Sequence, residues 1–179
     1  MASDCARVHE RLESARATGF LDLSECKLTQ IPNGILMVMK SSYDPEVDQP
    51  ITRCSLAKNF LKNFPPKLIR EEKLFGNLSV LDISSNKLSV LPSEIESMKG
   101  LKELDLSRNQ FEYVPEIVWS LPGIEYVGLA GNAIASVCVE RIRDAPNLKR
   151  ADFVDNPLGD VAKSKLAALA VEKGLTIDC

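Results

Sequence analysis

Apolar residues recur along this chain with a period of 23 positions. Starting at Leu78, Leu101 and Ile124, the sequence follows the pattern L-x-x-L-x-L-x-x-N-x-L-x-x-L-P-x-x-I-x-x-L with conservative exchanges. Looser copies precede and follow these three, so that six copies, the last of them truncated, cover residues 18–158. One copy cannot bury its apolar edge alone, whereas stacked copies can, and the period therefore predicts a solenoid.

Each copy is expected to contribute one short strand and one return segment. In the L-x-L portion the period of two directs one set of side chains into the core and the other onto an open face. The L-P-x-x-I-x-x-L portion is predicted to return along the outer wall as a helical or 3₁₀ segment, with proline where no backbone donor is needed. The pattern therefore predicts an α/β fold, in which a curved parallel sheet is backed by a helical or 3₁₀ wall.

The two ends of this sheet are predicted to be covered by helices. Residues 1–17 have helical periodicity and are interpreted as an N-terminal cap helix, which precedes the repeats at 18–158. Residues 159–179 are interpreted as a C-terminal cap helix that ends at Gly174, followed by a tail. The first two repeats are ten residues further apart than the period requires, and residues 40–50 are therefore predicted to form a polar loop.

One polar position recurs in the turn after each predicted strand. A buried side-chain amide carries donors and an acceptor, so a stacked column of amides can satisfy the backbone groups that the turn takes out of the sheet. In the first repeat a cysteine holds this position, with a weaker donor that fits the same space. We expect a structural ladder formed by Cys26, Asn59, Asn86, Asn109, Asn132 and Asn156.

Composition and charge restrict the class of partner. The chain of 179 residues has a net charge of −3, which offers no basic field for nucleic acid. Its longest apolar run, residues 35–39, is far shorter than a membrane span, and no signal-peptide pattern is present. The five cysteines are odd in number and dispersed, unlike a disulfide framework. We predict a monomeric cytoplasmic protein, with the nucleus left open, that binds neither nucleic acid nor membrane.

Candidate catalytic chemistry is sparse. The one histidine, His9, lacks a cysteine or serine pattern that would form a nucleophile and base pair. No phosphate-binding glycine loop and no zinc-ligand spacing occurs. Paired carboxylates on the open face could bind a cation or transfer protons, but Ser55 and Gly128 interrupt their column. That column consists of Asp22, Asp82, Asp105 and Asp152. We predict no catalytic residue, no cofactor and no metal, and therefore no enzyme.

The open face carries the candidate binding residues. One strand column combines aromatic, arginine, acidic and apolar side chains on a rigid sheet, as protein-recognition surfaces do. This predicted protein-binding column consists of Phe20, Arg53, Val80, Glu103, Tyr126 and Arg150, with Asp82, Asp105 and Arg108 beside it. The loop at 40–50 and an outer-wall patch at Ile117 and Trp119 are the alternative binding sites, unless the Trp119 ring folds back onto the wall.

The spacing and the L-P-x-x-I-x-x-L return resemble the intracellular, Ras-group type of leucine-rich repeat proteins over residues 18–158. The resemblance implies a leucine-rich repeat solenoid without catalytic residues and with an intracellular interaction role. Two functions are compatible with it. The first is a non-catalytic protein-binding adaptor or scaffold that uses the concave face, and the second is a regulatory or targeting subunit of an enzyme such as a phosphatase or small GTPase.

Overall fold

Seven short parallel strands organise the fold. In the computed structural model of this protein, the backbone is described for residues 2–31, 34, 35, 37, 39, 44, 46 and 48–179, and side chains are described from Glu10 onward. Within these residues, one curved, open sheet takes its strands in chain order. They are β1 (Phe20–Asp22), β2 (Arg53–Ser55), β3 (Val80–Asp82), β4 (Glu103–Asp105), β5 (Tyr126–Gly128), β6 (Arg150–Asp152) and β7 (Thr176–Asp178). The predicted α/β solenoid is confirmed.

The return segments form the outer wall behind the sheet. They are α2 (Lys67–Arg70), α3 (Glu72–Phe75), two 3₁₀ segments at Ser93–Ser97 and Glu116–Ser120, and α4 (Val139–Arg143). Pro92 and Pro115 adopt extended conformations immediately before the 3₁₀ segments, where their missing N–H groups cost no hydrogen bond.

Helices flank the sheet at both ends. The first, α1 (Ala2–Thr18), contacts β1 and buries Leu12 and Ala15. The last, α5 (Asp160–Lys173), ends at Gly174 in the left-handed conformation, with a φ of 67°. The chain then forms β7 beside β6, where the sequence predicted only a tail. Three residues with one central apolar side chain are too short a signal for a strand, so this strand is specified by its pairing with β6.

The core lies between the strands and the outer wall. The inward side chains of β3, β4 and β5, which are Leu81, Leu104 and Val127, have no exposed surface. Trp119 is only 4% exposed and belongs to the same core, so its ring folds back onto the wall and, of the two alternatives at this position, the exposed patch is not formed by Trp119. An indole ring buries more apolar area than most side chains, which favours its insertion over exposure on the wall.

The asparagine column supplies hydrogen bonds that the strands cannot make at their ends. Asn109 Nδ2 donates to the carbonyls of Ile83 and Leu106 at 3.0 Å, and its Oδ1 accepts from Leu88 N–H at 3.0 Å. The same pattern, with a carbonyl of the preceding repeat and one three residues back, recurs at Asn59, Asn86, Asn132 and Asn156. Each amide therefore joins two consecutive repeats.

An arginine of the first helix completes the column at Cys26. Arg11 Nη1 donates to the Ser24 carbonyl at 2.5 Å, to the Asp22 carbonyl at 3.2 Å and to Cys26 Sγ at 3.2 Å. The thiol itself donates to Ser24 O at 3.3 Å. Because a thiol is a weaker donor than an amide, the guanidinium supplies the donor strength that Cys26 lacks. The helix α1 is thereby tied to the end of the ladder.

The predicted loop at 40–50 is described only in part, since residues 40–43, 45 and 47 lie outside the described residues. Within the described part, Arg16 Nε donates to both carboxylate oxygens of Asp48, at 3.1 and 3.0 Å. The Asp44 N–H, which donates to Asp48 Oδ2, and the Arg16 guanidinium hold the Asp48 pKa below its ordinary value. This buried ion pair joins the loop to α1.

Replacing Leu104 by alanine tests the strand register. The side chain is fully buried, so we expect Leu104→Ala to lower the free energy of unfolding by about 2–5 kcal/mol in urea denaturation. Glu103→Ala, one residue earlier and exposed, is expected to change it by less than about 0.5 kcal/mol. Equal losses from the two substitutions would contradict the inward and outward assignment of β4.

Replacing Asn109 tests the ladder separately. Asn109→Ala leaves the buried Leu88 N–H without its acceptor and removes one of the two amide donors to the Ile83 and Leu106 carbonyls, and we expect a loss of about 1–3 kcal/mol in the same measurement. Gln110→Ala removes an exposed amide next to it and serves as the matched control. An unchanged midpoint for Asn109→Ala would show that water replaces the ladder bonds.

Candidate functional site

The parallel register brings the predicted binding column together. Cα pairing runs Phe20 to Arg53, Val80, Glu103, Tyr126 and Arg150, and continues to Thr176 on the unpredicted strand β7. Neighbouring strands lie about 4.8 Å apart, so these side chains form one continuous row. Most of the row is exposed, while Val80 and Tyr126 are half-buried. The open face therefore presents a mixed row of aromatic, charged and apolar groups.

A second row of side chains holds the ends of the strands. It consists of Asp22, Ser55, Asp82, Asp105, Gly128, Asp152 and Asp178. Asp82 Oδ1 accepts the Ser84 N–H at 2.9 Å and Asp105 Oδ1 accepts the Ser107 N–H at 2.8 Å, which stabilises the turn after each strand. In the part of the chain that is described, no three metal-ligating side chains converge. The aspartates of the second row therefore stabilise the turns through hydrogen bonds to backbone N–H groups.

Arginine and aromatic side chains pair at the N-terminal end of the row. The Arg53 guanidinium lies 5.5 Å from the centroid of the Phe20 ring, within the range of a cation–π contact. At the neighbouring turn, Lys87 Nζ lies 5.3 Å from the Phe60 centroid. Half of the Phe60 side chain is exposed, so this second pair extends the face towards the turns.

A denser arrangement occupies the C-terminal end. Arg150 lies 5.7 Å from the Tyr126 ring and its Nη2 pairs with Asp178 at 2.9 Å. Tyr126 lies against Gly128, where an added Cβ would come within 2.8 Å of the Tyr126 hydroxyl and 2.5 Å of Asp105 Oδ1. A side chain at this position would displace the Asp105 carboxylate and the Tyr126 phenol, so glycine leaves the space that both groups occupy. The sequence analysis treated Gly128 only as an interruption of the acidic column and missed this role.

The surroundings of Tyr126 make its phenol hard to ionise. Partial burial, and then the nearby carboxylates of Asp105 and Asp152, raise the Tyr126 pKa to about 12. Both causes penalise the phenolate, since burial removes hydration and the carboxylates repel a second negative charge. Tyr126 therefore acts as a neutral aromatic group and hydrogen-bond donor on this face.

Charged residues border the row on the strand-start side. Glu125 accepts a hydrogen bond from Lys149 and lies 4.0 Å from Lys102 Nζ. Its pKa is lowered, chiefly by the bond from Lys149. On the opposite, turn side, Arg108 is exposed and has a left-handed φ of 54°. The residue before each ladder position shares this left-handed conformation. Only at Gly131 does the residue type itself predict it, because glycine adopts positive φ without strain.

The outer wall offers one small apolar cavity. It has a volume of about 200 Å³ and is lined by residues that include Phe64, Ile69 and Val90. Ligand pockets usually measure roughly 300–1,000 Å³, so this cavity is small for a cofactor or metabolite. A larger and more open cavity of about 400 Å³ lies on the open face, beside Glu103, Tyr126 and Arg150.

Comparison with known proteins identifies the repeat. Residues 76–134 match the family described as leucine rich repeat. The chain has the leucine-rich repeat fold. It is 38% identical over 96 residues to human leucine-rich repeat-containing protein 20, an alignment that covers 54% of this chain and 47% of that protein. The chain thus spans about half the length of this curated relative.

Solved leucine-rich repeat structures superpose on the chain. A leucine-rich repeat protein of Leptospira interrogans has a TM-score of 0.61 at 26% identity, over 72% of this chain and 31% of that one. The APL1 leucine-rich repeat domain gives 0.61 at 21% identity, over 83% and 36%. An internalin of Listeria monocytogenes gives 0.60 at 18% identity, over 88% and 40%. The last two likenesses show the fold alone.

Among the described residues, no helix combines the length and the apolar composition needed to cross a membrane.

Ionisation of Tyr126 can be followed by ultraviolet absorbance of the phenolate. Its folded pKa of about 12 lies above its ordinary value of 10, so its stabilising contribution is complete below pH 10 and is lost as the pH rises through about 12. We expect Tyr126→Phe to remove an absorbance step near pH 12, and Tyr113→Phe, which removes an exposed phenol, to retain that step. Loss of a step near pH 10 from the folded Tyr126→Phe protein would contradict the packing against Gly128.

Proposed function

We propose that this protein is a non-catalytic adaptor or scaffold that binds a protein partner on the concave, open face of its sheet. The observation that carries the proposal is the continuous row from Phe20 to Arg150, with one recognition side chain on each of six neighbouring strands. A rigid parallel sheet holds these side chains at fixed separations, so binding requires little ordering of the backbone.

The chemistry of the row favours a protein over other ligands. Leucine-rich repeat folds typically serve as protein-interaction modules. Aromatic and arginine side chains are the groups most often found at binding hot spots. The net charge of −3 opposes nucleic acid.

The size of the face limits the affinity that the strands alone supply. Seven strands lie about 4.8 Å apart, and each contributes some five residues when the adjoining turn residues are included. The resulting footprint is roughly 550 Å². A standard interface buries about 800 Å² on each partner. We therefore include the turn side of the face in the binding surface, through Arg108 and the Lys87–Phe60 pair.

We further propose that the protein is monomeric and cytoplasmic, and that it has no catalytic residue, metal or cofactor of its own. Within the described part of the chain, Cys54, Cys138 and Cys179 carry no disulfide, which agrees with a reducing compartment. Burial raises the pKa of the Cys54 thiol and keeps it protonated and unreactive.

Partner capture with a charge-exchanged open face tests the proposal. The variant is Arg53→Glu with Glu103→Arg, which reverses both exposed charges while conserving net charge and leaving the Arg150–Asp178 pair intact. Wild-type and variant proteins would be used as baits in cell extract, and retained proteins quantified by mass spectrometry. We expect the variant to lose at least one partner that the wild type retains, because like charges then face each other across the interface.

A matched control distinguishes a charge exchange on the open face from the same exchange elsewhere on the surface. Glu96→Arg with Lys99→Glu makes the same exchange on the exposed outer wall and is expected to retain the partner. If the open-face variant retains it as well, with its thermal unfolding unchanged, the site lies elsewhere and the proposal fails. Where the partner is an enzyme, a change in its activity on adding this protein would make the protein a regulatory subunit.

A further inference from the structure

Several cationic side chains on the open face already have a carboxylate partner within the chain. Arg150 pairs with Asp178, Lys149 with Glu125, and Lys58 with Glu25 at 2.7 Å. Within each pair the two charges compensate each other, and little net charge is left for a binding partner to neutralise. Charges without such a partner are therefore the ones that can select what binds.

Within the row from Phe20 to Arg150, three adjacent strands include the two charges that have no ion-pair partner in the described part of the chain, in a fixed order. Arg53 on β2 stacks on Phe20, and no carboxylate of the described residues lies within ion-pair distance of its guanidinium. Glu103 on β4 is exposed and, within the same described part, has no cationic partner. Val80 on β3 lies between them in the register. The order across the sheet is thus cationic, apolar, anionic.

This order defines a complement. Resting on the proposed function, we propose that the open face binds an α-helix of its partner, laid across β2, β3 and β4, with an acidic residue over Arg53, an apolar residue over Val80 and a basic residue over Glu103. Opposite charges then meet at both ends of the contact, and the apolar pair excludes water between them.

The dimensions of a helix suit this surface. A helix has a pitch of about 5.4 Å, close to the strand separation of about 4.8 Å, so each turn places one side chain near each strand. Its diameter of about 10–12 Å fits within the roughly 16 Å that five strand and turn residues span. Residues i, i+4 and i+7 lie on one helix face and would meet the three strands in turn. A partner helix that runs from β4 to β2 would carry the same three residues in the reverse order.

Three helical peptides serve as probes. Each is an acetylated, amidated alanine–glutamine helix with leucine at i+4. The mixed peptide has glutamate at i and arginine at i+7, the acidic peptide has glutamate at both positions, and the basic peptide has arginine at both. Binding is followed by shifts of backbone amide resonances in isotope-labelled full-length protein, which detect weak complexes as well as tight ones.

The expected result is a matched preference. Wild type should bind the mixed peptide about fivefold more tightly than the other two at low salt, as two surface ion pairs allow. Glu103→Arg should prefer the acidic peptide and Arg53→Glu the basic one, with the shifts centred on β2–β4. Glu96→Arg makes the same change of net charge on the outer wall, and it should keep the wild-type ranking.

Several outcomes would overturn the inference. These are equal binding of all three peptides to wild type, a Glu96→Arg ranking that follows Glu103→Arg, or shifts confined to other strands. Equal binding of a mixed peptide interrupted by proline would exclude a helical occupant, and concentration-dependent shifts without peptide would assign the face to a second copy of this chain. If capture from extract depends on the open face while the peptides fail, the inference falls and the proposed function stands. If both fail, the proposed function falls too.

Discussion

The asparagine ladder is the constraint on which the rest of the structure depends. Each strand has only three residues, so the chain leaves the sheet almost as soon as it enters it. The backbone groups released at that point are buried and would cost about 1–3 kcal/mol each if they stayed unpaired. One amide in each turn satisfies groups of two consecutive repeats, as Asn109 does between Ile83, Leu88 and Leu106. Stacking of repeats and closure of their turns are therefore the same interaction.

Because the ladder and the core fix the backbone, the side chains of the open face are free to vary. Column positions that face the core are almost all aliphatic, whereas the column of Arg53, Val80 and Glu103 changes character at every strand. Exposed positions contribute little to folding, and so their sequence is available for recognition. The Tyr126–Gly128 contact is an exception, since the absence of a side chain at Gly128 lets the Tyr126 ring lie on the sheet. That end of the face is prearranged, and the centre carries the uncompensated charge.

Sequence reasoning succeeds where the repeat itself carries the information. The inward residues, the proline positions and the turn asparagines all follow from the period of 23, because each copy must make the same contacts with its neighbours. It fails for contacts that occur once. Trp119 was considered for a surface patch, yet the wall has room for its ring. The β7 strand, the Arg16–Asp48 pair and the stacking of Arg150 on Tyr126 each join residues that no periodic signal relates. The period alone predicts which residues share the open face. It does not predict which of their side chains stack or form ion pairs with one another.

At the first repeat, departures from the repeat pattern fix the position of the helix α1. At the first turn the ladder residue is Cys26, whose thiol cannot make the bonds of an amide. Arg11 supplies them from outside the repeats, and Arg16, five residues later on the same helix, binds Asp48 of the following segment. Two charged side chains of α1 thus dock the helix through the ladder and through the loop, while Leu12 and Ala15 bury its apolar face. A cap that depended on apolar burial alone could slide along the first strand, whereas the guanidinium bonds to fixed carbonyls define one position.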